Sequence, residues 1–188
     1  MTALLPRDPR SRPVAVIGGG TLGRRIALML ASGGAETRIH DVSRDVGADA
    51  VTFVEHALPG VVAARDGAVA GTIRSTDDLD EAVRDAWLVV EAIPEVLELK
   101  TRLFGRLDRI AAPDAVLASN SSSYASRLLL DEVEHPERVL NMHFSMPPQQ
   151  NAVELMSDGQ TDPGILELLQ AELPRYGVVP FVARRDSR

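Results

Sequence analysis

The stretch from Asn141 to Met156 reads NMHFSMPPQQNAVELM and holds a histidine, His143, and eleven residues later a glutamate, Glu154. An imidazole with its ordinary pKa near ~6.5 can take a proton from a hydroxyl close to neutral pH and give it back. A carboxylate beside it would orient the ring and stabilise the imidazolium. Two prolines and a run of amides lie between the two residues. The spacing admits two readings: a pair of strands folded together by a turn, or a surface loop that happens to contain a histidine and a glutamate.

A second constellation lies near the start of the chain. GGGTLG places glycines at 18, 20 and 23, directly after the apolar run PVAVI and directly before a helical pattern. In that context Gly18 serves a tight turn, Gly20 lets a pyrophosphate approach the backbone, and Gly23 lets helix and strand pack closely. The helix start offers free N–H groups and roughly half a positive charge to phosphates. Asp41 closes the next apolar run, 18 residues after Gly23. A carboxylate there accepts hydrogen bonds from the two ribose hydroxyls of an adenosine and repels a 2′-phosphate, so NAD is expected rather than NADP. Arg44, three residues on, is the residue that could instead reach such a phosphate.

These residues need elements to hold them. Short apolar or β-branched runs predict strands at 13–18, 37–41, 71–76, 86–93, 115–119, 138–144, 152–156 and 178–184. Between them, helical spacing predicts helices at 21–34, 77–83, 94–111, 125–133 and 162–177, and over 43–65 with a break at Pro59-Gly60. Pro94 and Glu95 suit a helix start, and Leu99, Leu103 and Leu107 recur at fourfold spacing along that helix. Strand and helix alternate throughout, which predicts an α/β, doubly wound, mostly parallel Rossmann-type sheet with flanking helices. The organisation expected is a loose leader over 1–12 and one domain over 13–188.

Composition removes several function classes. The net charge of −7 argues against a nucleic-acid footprint. With no cysteine, disulfides and thiolate metal sites are excluded, and the histidine spacing supports no metal site. No apolar run approaches the ~18 residues of a membrane span, so a cytoplasmic protein without membrane partners is expected. Of 20 cationic residues only Lys100 is a lysine, which suggests a position that needs a compact ammonium.

The later motifs then join up. VAVIGGGTLGRRIALMLASGG, VVEAIPEVLELKTRLFGRLD, LASNSSS, PERVLNMHF and AVELM follow one another in an order and spacing that resembles the NAD-binding domain of the 3-hydroxyacyl-CoA dehydrogenase family. The resemblance covers about residues 13–188. It implies NAD as cofactor, held by Gly18, Gly20, Thr21, Leu22, Gly23 and Asp41, with Ala92, Ile93, Glu95, Lys100 and Asn120 along its nicotinamide side. It implies that Ser122 hydrogen-bonds the substrate's reacting oxygen, that His143 is the catalytic acid/base and that Glu154 pairs with it. The remaining serines of SNSSS are expected to build the strand-to-helix turn.

Three departures from the family pattern bear on the substrate. HFSMPP replaces His-Phe-Phe-Asn-Pro, and Glu154 comes one residue early. The arm over about 43–71 has no lysine to meet an acyl-CoA, which leaves Arg65 as the candidate there. The family's C-terminal all-helical domain, which completes the cleft and forms a homodimer, has no counterpart in this sequence. The expected function is the NAD-binding domain of an oxidoreductase that interconverts a 3-hydroxyacyl substrate, such as a 3-hydroxyacyl-CoA, and its 3-oxo form. The alternatives are a non-catalytic NAD(H)-binding or sensor module, and a dehydrogenase for another small 3-hydroxy acid.

Overall fold

The computed structural model describes residues 2–183. Its strands are β1 (Val14–Ile17), β2 (Glu36–His40), β3 (Thr72–Thr76), β4 (Leu88–Glu91), β5 (Val116–Ser119), β6 (Val139–Met146), β7 (Gln150–Met156) and β8 (Val179–Val182). They form one sheet in the order β3-β2-β1-β4-β5-β6-β7-β8. Strands β1 to β6 pair in parallel; β6 and β7 make an antiparallel hairpin, and β8 pairs parallel to β7. The central strands β1, β4 and β5 are buried along their whole length, which is why their sequences are continuous apolar runs rather than alternating ones.

Helices cover both faces. Val14 and Val16 point to one side, where Ile26 and Leu30 of α1 (Thr21–Ser32), Val54 of α2 (Arg44–Ala63) and Leu169 of α5 (Pro163–Glu172) close the larger core. Ala15 and Ile17 point to the other side, against Val83 of α3 (Leu79–Val83) and Phe104 and Leu107 of α4 (Leu97–Ile110). Alternation along β6 and β7 divides the hairpin likewise. Met142, Phe144, Val153 and Leu155 enter the first core, so His143 and Glu154 face the α4 side.

The structure corrects four sequence expectations. Helix α2 runs through Pro59 without a break; the carbonyl of Glu55 that loses its N–H partner is on an exposed turn, where water can serve it. Helix α4 starts at Leu97 after an extended Val96, so Pro94 and Glu95 lie outside it. The helix expected over 125–133 is only a 3-10 turn, Ser126–Leu129. There the Asn141 side chain takes the Ser126 N–H at 2.6 Å and donates to the Tyr124 carbonyl at 3.0 Å, which ties the segment to β6 instead of to itself. Helix α5 stops at Glu172 and tightens to 3-10 geometry at Leu173–Tyr176, where Pro174 supplies no N–H.

The buried stripe of α4 also differs from the expected one. Leu99 is 48% exposed, whereas Lys100, Phe104 and Leu107 are buried. The leader lies against the body of the domain. The Ala3 N–H meets Asp162, the α5 cap, at 2.9 Å; Arg10 pairs with Glu172, and Arg12 makes a two-pronged pair with Asp114.

Candidate active site

The glycine turn leaves β1 and enters α1 as its sequence requires. Gly18 has φ +108, a backbone region that side chains rarely adopt, and a Cβ there would meet the Ala92 carbonyl at 2.6 Å. A Cβ on Gly23 would lie 1.9 Å from the Gly18 carbonyl oxygen, so helix and turn pack with no room for a side chain. At Gly20 the position is open, with nothing within 4 Å. Two closed glycine positions and one open one are what a backbone cradle for a pyrophosphate needs.

Asp41 follows β2 and is fixed by two backbone donors, Gly19 N–H at 2.8 Å and Ser43 N–H at 2.9 Å. A carboxylate has about four acceptor sites, so both oxygens can still take a ribose hydroxyl. Asp41 lines a cavity of about 280 Å³ with Ser43, Gly47, Ser75 and Thr76, on the side where an adenosine would sit. Arg44 lies at its rim and pairs with Asp77 at 2.7 Å.

A second cleft, of about 270 Å³, opens at the C-terminal ends of the parallel strands. It is lined by Leu22, Ala92, Ile93, Glu95, Lys100, Asn120, Ser121, Ser122 and His143. Every candidate for the nicotinamide side is therefore in one place, together with the serine and the histidine. Lys100 is at its base and only 1% exposed. Its ammonium donates to Glu91 at 2.5 Å and to the Ile93 carbonyl at 3.3 Å, and lies 3.2 Å from Glu95. Three donors on one compact group meet three acceptors, which accounts for a lysine in a chain that otherwise uses arginine.

Glu91 is the member of this cluster that sequence reasoning missed. It ends β4 fully buried, and besides Lys100 it accepts from the Ile93 N–H at 2.8 Å and the Ser119 hydroxyl at 2.6 Å. A glutamate closing an otherwise apolar strand, nine residues before the sole lysine, was the available signal. Glu95 accepts from the Ser121 hydroxyl and from the Ser123 N–H. Burial pushes the Glu95 carboxyl up, but the Ser121 hydroxyl and the Lys100 ammonium more than offset it, and the group is held below its ordinary range.

The SNSSS serines divide by environment. Ser119 and Ser121 are buried and spend their hydroxyls inside the protein, whereas Ser122 is exposed, lines the cleft and makes no hydrogen bond among the described residues. Asn120 accepts the Phe144 N–H at 2.8 Å, which fixes β6 beside the cleft, and its side-chain nitrogen has no acceptor among the described residues.

His143 and Glu154 stand directly opposite each other in the β6–β7 ladder. Facing side chains in such a pair have Cβ atoms about 5 Å apart. Among the described residues no hydrogen bond or ion pair joins the two side chains, and of the two only His143 lines the cleft. The hairpin reading of this stretch holds, with the tip at Pro147 and Pro148. Arg65 is elsewhere: its guanidinium donates to the Ser32 hydroxyl and carbonyl and to the Arg175 carbonyl, and so ties α2 to the end of α1. It is not free to meet a substrate.

Comparison with known proteins shows the family. A family model described as 3-hydroxyacyl-CoA dehydrogenase, NAD binding domain, matches residues 13–187. The chain is similar to the 5-formyl-3-hydroxy-2-methylpyridine 4-carboxylate 5-dehydrogenase of Mesorhizobium japonicum, 30% identical over 179 residues that make up 93% of this chain and 58% of that protein. It is also similar to the 3-hydroxyadipyl-CoA dehydrogenase of Escherichia coli, 34% identical over 191 residues, 93% of this chain and 40% of that one. Among solved structures, a diketoreductase described as performing substrate-directed dual catalysis of dicarbonyl compounds superposes with a TM-score of 0.83 at 28% identity, covering 100% of this chain and 66% of that one. The chain thus spans about half the length of the curated relatives it matches.

Proposed function

Since the chain belongs to the 3-hydroxyacyl-CoA dehydrogenase family as its NAD-binding domain, we propose that it serves an oxidoreductase that interconverts a 3-hydroxyacyl substrate and its 3-oxo form, with His143 as acid/base. The observation that carries this reading is the single cleft in which His143, Ser122, Asn120 and Lys100 meet beside the glycine turn. When bound, NAD supplies the hydride acceptor, or in the reverse direction the donor. Gly18, Gly20, Thr21, Leu22 and Gly23 hold its phosphates, Asp41 its adenosine ribose, and Ala92, Ile93, Glu95, Lys100 and Asn120 its nicotinamide end.

His143 removes the proton from the substrate hydroxyl in oxidation and returns it in reduction. Ser122, whose hydroxyl has no other partner among the described residues, donates to the reacting oxygen as it becomes a carbonyl. Glu154 sits across the ladder from His143 and stabilises the imidazolium once it forms. The substrate is a small molecule, and among the described residues no helix is long and apolar enough to cross a membrane.

His143→Gln in a protein that turns over a 3-oxoacyl substrate with NADH should lower kcat by about 10² to 10⁴, with the NADH Kd within about twofold of wild type. A variant that keeps its rate removes His143 from the chemistry. A second reading, a non-catalytic NAD(H) module, is favoured by the absence of a hydrogen bond or ion pair between the His143 and Glu154 side chains among the described residues. Its signature is tight NADH binding with no turnover of acetoacetyl-CoA or acetoacetate.

A further inference from the structure

Two arginines stand apart from the others. Arg24 and Arg25 are adjacent on α1, and both are half-buried against Phe53 of α2, with guanidinium carbons 4.6 Å and 5.9 Å from the ring centre. Every other half-buried or buried arginine among the described residues has a carboxylate partner, or, for Arg65, three protein oxygens. Among the described residues Arg24 has only the ring. Arg25 donates to the neutral Pro147 carbonyl at 3.0 Å and the Gln149 side-chain oxygen at 2.9 Å. The Nε atoms of both are buried without a partner.

The fold gains little from this arrangement. Two like charges are gathered over one aromatic face, and two N–H groups are removed from water with nothing to bond. In a chain of net charge −7, carrying 27 acidic residues, neither guanidinium has a carboxylate partner among the described residues. An anion supplied from outside would relieve the repulsion and use donors that have no partner among the described residues, and a guanidinium binds carboxylate or phosphate in a two-pronged way.

The position of the pair says where on a ligand the anion would lie. Arg25 holds the tip of the β6–β7 hairpin, and His143 lies four residues back along β6, roughly 13 Å at about 3.3 Å per residue. His143 faces the α4 side, whereas the arginines lie on the α1 side. An anion on the pair is therefore remote from the reacting carbon and reaches it around the hairpin tip. The arm that carries Phe53 has no lysine, and Arg65 is committed elsewhere.

Building on the proposed dehydrogenase reading, we infer that Arg24 and Arg25, backed by Phe53, form the subsite for a carboxylate or phosphate carried at the far end of the substrate. Recognition of that handle passes to the hairpin tip through Arg25, so the altered sequence SMPPQQ and the arginine pair act as one specificity element.

The test uses the full chain with and without saturating NADH, titrated calorimetrically with glutarate as a carboxylate probe and 4′-phosphopantetheine as a phosphate probe. At least one probe should bind wild type, and the one that does names the source of the anion. The double variant Arg24→Met/Arg25→Met should weaken that probe at least tenfold, while Arg24→Lys/Arg25→Lys, which keeps the charge but not the planar fork, should fall between it and wild type. The NADH Kd should stay within twofold in both. Binding of neither probe, or equal binding in the Met variant, overturns the subsite. A tenfold loss of NADH affinity in the Met variant overturns it too, because the arginines would then serve the cofactor. Failure of wild type to bind NADH at all would instead sink the dehydrogenase reading, and the titrations without NADH still decide the anion site.

Discussion

Helix α4 carries a buried charge near each end, and each is the wrong sign for the helix dipole. Lys100 lies in the first turn, where positive charge is disfavoured, and Asp108 in the last, where negative charge is disfavoured. Each is held by partners from outside the helix. Asp108 receives a two-pronged bond from Arg138 at 3.1 Å and 2.8 Å, the Glu134 N–H at 2.8 Å and a contact to His135, while Arg138 also reaches the Ala112 carbonyl. The Arg138 and Asp108 side chains are 4% and 2% exposed, so the ion pair itself is closed, although His135 beside it is exposed and a cavity of about 470 Å³ adjoins the knot. At the other end Lys100 and Glu91 are as deeply buried, but the third member, Glu95, leaves 37% of its side chain open to the cleft. A buried ion pair is weak evidence for function by itself. The difference lies in the company each keeps: Glu95 opens on the cleft that holds Asn120, Ser122 and His143, whereas none of these lines the cavity beside Asp108 and Arg138.

The comparison breaks most sharply at the closed end. Arg138→Met strands a buried carboxylate, and unfolding in urea should show a loss of about 3–5 kcal/mol, with the NADH Kd unchanged within twofold. At the open end Lys100→Met also strands a buried carboxylate, Glu91, and should cost about 3 kcal/mol, the low end of that range, because Arg138→Met strands the Ala112 and Asp108 carbonyls besides. The NADH Kd should nevertheless rise about tenfold, since Glu95 loses the ammonium that fixes it beside the cleft. If Lys100→Met matches Arg138→Met in stability and leaves NADH affinity alone, both knots are purely structural.

The two ends also differ in how far their sequences could be read. The glycine turn was legible because its constraints are local: a positive φ at Gly18 and a close approach at Gly23 involve only adjacent elements. The His143–Glu154 register was legible for a related reason, since alternation along VLNMHF and AVELM fixes which residues share a face. Lys100 drew attention as the only lysine, but its burial was hidden, because Leu99 beside it made the better apolar stripe. What overrode the leucine is Glu91, a partner on another element. The helix expected over 125–133 fails in the same way: its propensity is sound, but Asn141, on β6, donates to the Tyr124 carbonyl, which would have accepted the first helical bond. Arg24 and Arg25 read only as polar positions on α1, and nothing in their spacing showed that neither would find a carboxylate.

Acid sharpens the comparison with the smallest effect. Burial pushes Asp108 up, but Arg138 and the Glu134 N–H more than offset it, so its carboxyl stays below the ordinary value of 3.8. Glu95 is likewise held below 4.5. A depressed carboxyl stabilises the fold above its unfolded pKa and ceases to as pH falls through the lower folded value. Wild type should therefore lose stability as pH drops from about 5 towards 3. The Glu95 part should amount to only a few tenths of a kcal/mol, because its partly open side chain is screened by water and salt. Melting curves across this range at low and high salt separate the two groups. Glu95→Gln should flatten the acid limb slightly at low salt and not at all at high salt. The larger, salt-insensitive part should persist in Glu95→Gln and shrink in Asp108→Asn. A salt-sensitive limb that vanishes in Asp108→Asn would mean that the knot at the far end of α4 is open to solvent after all.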